Sequence, residues 1–499
     1  MSQIVRLFLI LLIFFCTSSL RAESRPNIVL IFADDLGWKD VGYQGSDFME
    51  TPVLDRLASQ GMVFTDGYAA AGNCAPSRAC LLSGTYTPRH HVYAVGSTDR
   101  GPANQQRLVP IPTRGGLSTD NITIADALKA AGYVTGHFGK WHLDGPGGAK
   151  PSQQGFDVTF DSFGEGEVKE GSEGNKAGPP SDPKGVFTLT RKACSFIQEN
   201  RDRPFFCYLA HHAIHSPLQG QPETLQKFKS KAPGQQHKNA MYAACTYDLD
   251  QSVGLLLDKL DELQLTDNTL LVFTSDNGAT QQSSQEPLRG SKGGYYDGGI
   301  REPFIVRWPG KVAAGSRCSV PVINVDLFPT FLAAAGASTD KQLDGESLLP
   351  LLTEEGSLKR QAIFWHFPGY LNSPVIRGRE LDVRTGFRSR PVSVIRKGDW
   401  KLHLFLEEWQ LDGGRQQLST NHAVELYDMK NDMGERSDLS GSNTAKRDEL
   451  LNDLLTWHTS VNARLPTEPN PAYNPDASGK KGAASDTNSG RKRKKKQTL

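Results

Sequence analysis

Short apolar runs alternate along the chain with stretches whose apolar residues recur every three or four positions. Asn27 to Phe32, Met62 to Thr65, Phe205 to Ala210 and Thr269 to Thr274 are mostly apolar on consecutive positions, as strands covered on both faces require, and Tyr133 to His137 reads as a further strand. Between them lie helix signals. Thr51-Pro52, followed by Val53, Leu54, Leu57 and a closing Gly61, reads as a capped helix, and Thr123 to Asp126 approximates a capping box ended by Gly132. From Ala240 to Leu265, the residues Met241, Cys245, Leu249, Val253, Leu256, Leu260 and Leu263 keep helical spacing, which predicts a long amphipathic helix. Strand and helix in alternation predict an α/β fold: a large mixed, mostly parallel sheet sandwiched by helices.

The texture changes after Leu348-Leu349-Pro350-Leu351-Leu352. Val392 to Ile395, Lys401 to Phe405 and Val424 to Tyr427 read as short strands and Asp448 to His458 as a helix, so a smaller C-terminal α+β domain on a short antiparallel sheet is expected. The segments Asp144 to Gly155 and Glu165 to Gly185 are rich in Gly, Pro, Lys and Glu and read as loops. The expected division is residues 1–22 as a leader, 23–355 as the catalytic domain, 356–465 as the C-terminal subdomain and 466–499 as a disordered basic tail.

Composition narrows the function classes. With 56 Lys+Arg against 55 Asp+Glu among 499 residues, no global field advertises nucleic acid or membrane as a partner. Met1 to Ala22 carries Arg6, the apolar run Leu7 to Cys16 and small residues before Ala22, the pattern of a secretory signal too short to span a bilayer. The expectation is an exported protein, periplasmic or extracellular, with no stable membrane insertion after cleavage. Six cysteines follow the leader, so this is not a disulfide-dense scaffold. The tail run Arg491 to Lys496, in an exported chain, suggests weak attachment to acidic polymer or envelope.

Ligands on such sheets bind beyond the carboxyl ends of the strands. There the sequence places Asp34-Asp35, His215 and Asp276-Asn277, and the four Asp and Asn side chains are hard oxygen ligands of the kind Ca²⁺ and Mg²⁺ take. Either pair alone reads equally as turn residues or caps. Cys74-Ala75-Pro76-Ser77-Arg78 opens a helix, with Pro76 in its first turn and Arg78 one turn after Cys74, an arrangement expected to activate the thiol.

Cys-x-Pro-Ser-Arg-x-x-x-Leu-x-Gly, read from Cys74 to Gly84, resembles the signature of the type I sulfatases, the formylglycine-dependent, arylsulfatase-like branch of the alkaline phosphatase superfamily. Gly139-Lys140-Trp141-His142-Leu143 resembles a second family motif, with Asp144 where a glycine is usual; His215-Ser216-Pro217 and Leu288 to Gly294, containing Lys292, resemble two more. The segment Gly298 to Pro303 resembles another, with Asp297 where Glu is usual, and the likeness runs from about Pro26 to Leu439. What the resemblance implies is a sulfatase whose Cys74 is oxidised to formylglycine, by a formylglycine-generating enzyme, before folding is complete. The hydrate attacks sulfur and its second hydroxyl expels sulfate. It further implies Ca²⁺, with Mg²⁺ left open by the residue types, on Asp34, Asp35, Asp276, Asn277 and residue 74. Arg78, Lys140, His215 and Lys292 would then stabilise the developing charge. Asp276 would take the proton from the attacking hydroxyl, His215 or Lys292 would protonate the leaving oxygen, and His142 would deprotonate the second hydroxyl.

Two rivals share these residues: a formylglycine-dependent phosphonate or phosphodiester hydrolase, and a non-catalytic binder of sulfated glycans in which Cys74 stays unmodified. For the sulfatase, the substrate is a sulfated small molecule or polysaccharide. Between His366 and Arg390, the residues Arg377, Arg379, Arg384, Arg388 and Arg390 form either a solvated basic loop or an overhang that reads anionic groups beyond the scissile sulfate.

Overall fold

The first apolar run becomes an inner strand of an eight-stranded sheet. In this computed structural model, which describes residues 25–161, 179–372 and 386–477, the sheet contains Asn27–Ala33 (β1), Met62–Phe64 (β2), Val134–Gly139 (β3) and Val158–Phe160 (β4). Its other strands are Phe205–Ala210 (β5), Thr269–Ser275 (β6), Ile305–Arg307 (β7) and Ser316–Cys318 (β8). The spatial order is β8-β2-β7-β6-β1-β5-β3-β4. β6, β1, β5, β3 and β4 are all parallel, while β7 opposes both β6 and β2, so the sheet is mixed but mostly parallel, as the alternation predicts.

Helices cover both faces because both faces are apolar. Ile28, Leu30 and Phe32 point to the side of Cys74–Ser83 (α2), Ile124–Ala130 (α3) and Leu327–Ala334 (α7). Val29, Ile31 and Ala33 point to the side of Pro52–Gln60 (α1), Val186–Glu199 (α4), Pro222–Ser230 (α5) and Ala240–Glu262 (α6). The capping box at Thr123 and Asp126 forms as expected. The cap at Thr51 does not: its hydroxyl accepts from Gly42 N (2.7 Å) and donates to Asp55 (3.0 Å). The free amides of Val53 and Leu54 donate instead to the Asp250 carboxylate of α6, at 3.1 and 2.8 Å.

Register positions the chemistry. Ala33 pairs with Ser275, Phe32 with Ala210, and Gly139 with the same Ala210. Asp34-Asp35, Asp276-Asn277, His211 and Lys140 therefore leave the sheet side by side at one edge.

A second sheet holds Ala362–Phe367 (β9), Val392–Lys397 (β10), Trp400–Phe405 (β11) and Val424–Asp428 (β12), antiparallel in that order, under the helix Thr444–Ser460 (α8). β9, a strand the sequence pattern does not predict, is its edge strand. Buried ions join this sheet to the catalytic unit. Asp297 accepts from Lys401 (2.7 Å), Tyr68 (3.0 Å) and Arg301 (3.2 Å), Glu435 takes Lys401 and His403 (both 2.9 Å), and Asp66 takes Arg396 (2.7 Å) and Arg301 (3.1 Å). Burial alone would raise the Asp297 carboxyl, but Lys401, Arg301 and Arg396 hold it well below the usual range. Asp297, one of the two positions that depart from the resembled motifs, thus lies at the junction itself.

Residues 466–477, which the composition assigns to a disordered tail, are ordered. Pro469 bridges Leu108, Asn470 N donates to Arg107 O (2.9 Å) and Asn474 N to Asn104 O (2.9 Å), so residues up to 477 are held by backbone bonds that side-chain composition does not reveal. The leader Met1 to Ala22, the basic run Arg491 to Lys496, and Arg377, Arg379 and Arg384 lie outside the described residues. No described helix is long and apolar enough to cross a membrane.

Asp297→Asn removes the charge shared by three buried cations, and breaking a buried pair from one side costs about 3 kcal/mol or more. Chemical denaturation should show a loss of that size; a change under about 0.5 kcal/mol, the range of ordinary surface substitutions, would show that the network contributes nothing.

Candidate functional site

Four strand ends and one helix start meet at the carboxyl edge of the sheet. Single carboxylate oxygens of Asp34, Asp35 and Asp276 lie within 4.8 Å of one another and of Cys74 Sγ, all of them buried. Asp35 has φ 68°, a left-handed turn that an Asp tolerates better than most residues and that turns its carboxylate back toward Asp34 and Asp276. Asn277 donates Nδ2–H to Asp35 Oδ1 at 2.8 Å, which fixes its other end, Oδ1, as a buried oxygen with no partner. Asp34 Oδ1 is also buried without a hydrogen-bond partner.

Cations separate the carboxylates. Lys140 Nζ is 2.8 Å from Asp34 Oδ2, and Lys292 Nζ is 2.7 Å from Asp35 Oδ1. Arg78, fully buried, donates Nε–H and Nη2–H to Asp276 Oδ2 at 3.0 and 2.7 Å, and Nη1–H to the Lys140 carbonyl at 3.1 Å. Its guanidinium stacks 5.2 Å over Phe32. Arg78 thus orients Asp276 and the Lys140 segment, while Lys140 and Lys292 are the cations closer to open space. Lys292 in its glycine-rich loop is nearly covered rather than solvated, its side chain exposed by 16%.

Two histidines complete the edge. His215 Nδ1 faces the Ser216 carbonyl at 2.7 Å, which directs Nε2 inward, 4.0 Å from Asp35 Oδ2. His142, with φ 64°, holds Nδ1 buried and without a partner. The expected ligand and catalytic residues, Asp34, Asp35, Cys74, Arg78, Lys140, His142, His215, Asp276, Asn277 and Lys292, therefore converge. His211 and His212 are core groups: His211 lies 3.0 Å from Thr190 and Ser252, and His212 2.9 Å from the Lys184 carbonyl. Sequence reading missed Lys184, whose ammonium, in an expected loop, donates to the carbonyl of His215. A lone lysine among glycines and prolines carries no signal of its own.

The charges respond accordingly. Burial would raise Asp34, yet Lys140, His215, Arg78 and Lys292 hold it well below the usual carboxylate range. Asp276 is pushed up to about 7 by burial and then by the Asp34 charge, against the pull of Arg78. Burial and then Lys140 depress His142. The thiol corrects an expectation: burial pushes Cys74 up to about 12, and Lys140 and Lys292 recover only part of it. A helix N-terminus and nearby cations do not activate a thiol that water cannot reach.

The residues fit a hard divalent cation. Asp34, Asp35, Asp276 and the orphaned Asn277 Oδ1 are oxygen donors buried in one space, and such crowding needs positive charge. Only the thiol of Cys74 is the wrong donor; an oxygen at that position would complete the set.

The family model described as Sulfatase matches residues 26–337, and one described as N-sulphoglucosamine sulphohydrolase, C-terminal, matches residues 291–387. The chain is 33% identical to human arylsulfatase A, with 86% of each chain covered, and 34% identical to human N-acetylgalactosamine-6-sulfatase, with 69% of each covered. The solved structure of Ps i-CgsB in complex with k-i-k-neocarrahexaose superposes with a TM-score of 0.69 at 29% identity, over 89% of this chain and 95% of that one.

If the carboxylates hold Ca²⁺, adding it at about a hundred times its dissociation constant should stabilise the protein by about 2.7 kcal/mol, read as a rise in the thermal midpoint. Asp276→Ala should abolish the rise. Identical midpoints of the native protein in Ca²⁺ and in chelator would remove the cation from the site.

Proposed function

The chain belongs to the sulfatase family and hydrolyses sulfate esters, and from that premise we propose a formylglycine-dependent saccharide sulfatase, its nucleophile made from Cys74. The observation that carries this reading is the mismatch at residue 74. A buried thiol with its pKa at about 12 is neither nucleophile nor hard ligand, yet it sits among three carboxylates and two lysines. Oxidation of Cys74 to formylglycine would supply a hydrated aldehyde, one hydroxyl to attack sulfur and the other to expel sulfate. A Ca²⁺ ion on Asp34, Asp35, Asp276, Asn277 and residue 74 would add Lewis-acid stabilisation of the sulfuryl oxygens.

The chain's own residues do the rest. Arg78 locks Asp276 in place through two hydrogen bonds to Oδ2, so that Oδ1, which accepts the Asp35 N–H at 3.2 Å, is the oxygen that can take a proton from residue 74. Lys140 and Lys292 present fixed ammonium groups to the equatorial oxygens as negative charge builds there, in a site too buried for water to screen them. His215, its ring set by the Ser216 carbonyl, and Lys292 are the groups that can hand a proton to the leaving oxygen. His142 Nδ1, buried and without a partner, is the base for the second hydroxyl.

A saccharide substrate is supported by N-acetylgalactosamine-6-sulfatase as a relative and by Ps i-CgsB, solved with a neocarrahexaose. Export to the periplasm or outside the cell is part of the same reading and rests on the leader. A mature protein whose N-terminus still includes Met1 would overturn that part.

Produced with a formylglycine-generating enzyme, the peptide containing residue 74 should carry an aldehyde by mass analysis. Cys74→Ala should fold with an unchanged circular dichroism spectrum and lose turnover by at least about 10³-fold, the scale of losing a covalent nucleophile. An active Cys74→Ala protein would sink the assignment. His142→Ala should release a burst of alcohol and then stall; a slow but linear release from the first seconds would show that His142 acts before sulfate departure or not at all.

A further inference from the structure

Beyond Lys292 the cationic line continues. Arg388 lies across Gly293, so closely that a methyl group there would come within 2.5 Å of Arg388 Cδ, and its Nη1 is 3.5 Å from the Lys292 carbonyl. Gly293 also has φ 90°, so glycine at that position serves both the turn and the arginine lying over it. On its far side, Phe387 packs against Gly101, where a methyl group would approach Phe387 Cε1 within 2.6 Å. The pairs Arg100-Gly101 and Phe387-Arg388 are thereby pressed together, and Leu371, which accepts from Arg388 N at 2.9 Å, fixes the strand segment behind them.

Neither arginine has a carboxylate partner among the described residues. Arg388 is half-buried, its Nε–H shut from solvent and without an acceptor. Burial and then the neighbouring Arg100 charge depress its pKa, with Asp35 alone pulling the other way. Arg100 is exposed. Asp99 beside it is engaged elsewhere, its Oδ1 accepting from Gln106 Nε2 at 3.0 Å. Arg390, two residues on, is different: fully buried, it pairs with Glu407 (3.3 Å) and Glu408 and stacks 4.1 Å over Phe405. Of the two described arginines expected to overhang the site, Arg390 is thus a framework residue, while Arg388 faces it.

The buried Nε–H of Arg388 has no acceptor, and the Arg100 charge acts on the same guanidinium; an anion beside Arg388 would satisfy the first and offset the second. We propose that Arg388 and Arg100 form a subsite for a second oxyanion of the substrate, a carboxylate or a further sulfate, on the sugar next to the one whose sulfate is cleaved. The inference rests on the sulfatase reading and deepens it: the substrate is a polyanionic saccharide rather than an isolated sulfate ester. Arginine suits both oxyanions because its fork of N–H donors matches two oxygens at once.

Binding separates this proposal from the reading beneath it, because binding needs no formylglycine. Calorimetry on the full-length Cys74→Ala protein would compare a disaccharide with one sulfate, one with two, and one with a sulfate and a uronate carboxylate. At least one doubly anionic ligand should bind roughly tenfold tighter than the first, and which one does so tells sulfate from carboxylate. Arg388→Met, which keeps the stem over Gly293, and Arg100→Ala, a change at an exposed position, should each reduce that ratio toward unity. Equal affinity for the three ligands, or a preference that survives both substitutions, would overturn the subsite. Absence of an aldehyde at residue 74 would instead count against the mechanism and leave the binding ratio to stand or fall alone.

Discussion

Crowded negative charge is the constraint that the rest of the molecule answers. Two like charges about 4 Å apart repel by on the order of 4 kcal/mol at the effective dielectric of a protein. Asp34, Asp35 and Asp276 meet at that range, so none of the three could stay buried and ionised unaided. Each has its own cation: Lys140 for Asp34, Lys292 for Asp35 and Arg78 for Asp276. Those cations come from three separate segments, the strand end after β3, a glycine-rich loop and the second turn of α2, so the charge balance holds the sheet edge, the loop and the helix in one arrangement. The parallel register of β1 with β6 puts the carboxylates close, and the cations let them remain so.

What the sequence disclosed follows from which forces are local. Apolar runs such as Asn27 to Phe32 and Thr269 to Thr274 announce covered strands because covering acts on every residue of the run, and the residues after them fall at the carboxyl edge by topology alone. Motif residues around Cys74, Lys140, His215 and Lys292 were legible because their spacing is constrained by the chemistry they share. Other features were hidden because they are made by distant partners. Thr51 looks like a cap, yet the amides it should hold go to Asp250, almost two hundred residues away. Cys74 looks activated by its helix and neighbouring cations, yet burial, which no local pattern shows, decides its proton affinity. β9 sits at the edge of its sheet and carries Trp365 and His366 among its apolar residues, a weak periodic signal beside an arginine-rich loop.

Arginine shows the same lesson within a few residues. Arg388 and Arg390 are indistinguishable in a basic, glycine-containing stretch, but Arg390 is neutralised by Glu407 and Glu408 on a neighbouring turn while Arg388 has no carboxylate partner among the described residues. Pairing, and so availability to a ligand, belongs to the tertiary structure.

The junction ions set an order on the life of the chain. Asp66 and Asp297 belong to the catalytic unit, but Arg396 and Lys401, two of the three cations that neutralise them, belong to strands made only after most of that unit has been synthesised. A nascent chain that stops short of residue 396 therefore carries acids with one arginine between them, next to Tyr68 and the start of α2. Contacts that span more than three hundred residues, as Arg396 to Asp66 does, also close slowly. The last strands thus act as a latch on a chain leaving the ribosome. A chain cut short before residue 396 keeps Asp66 and Asp297 without two of their three cations, so the junction can close only when synthesis is nearly complete.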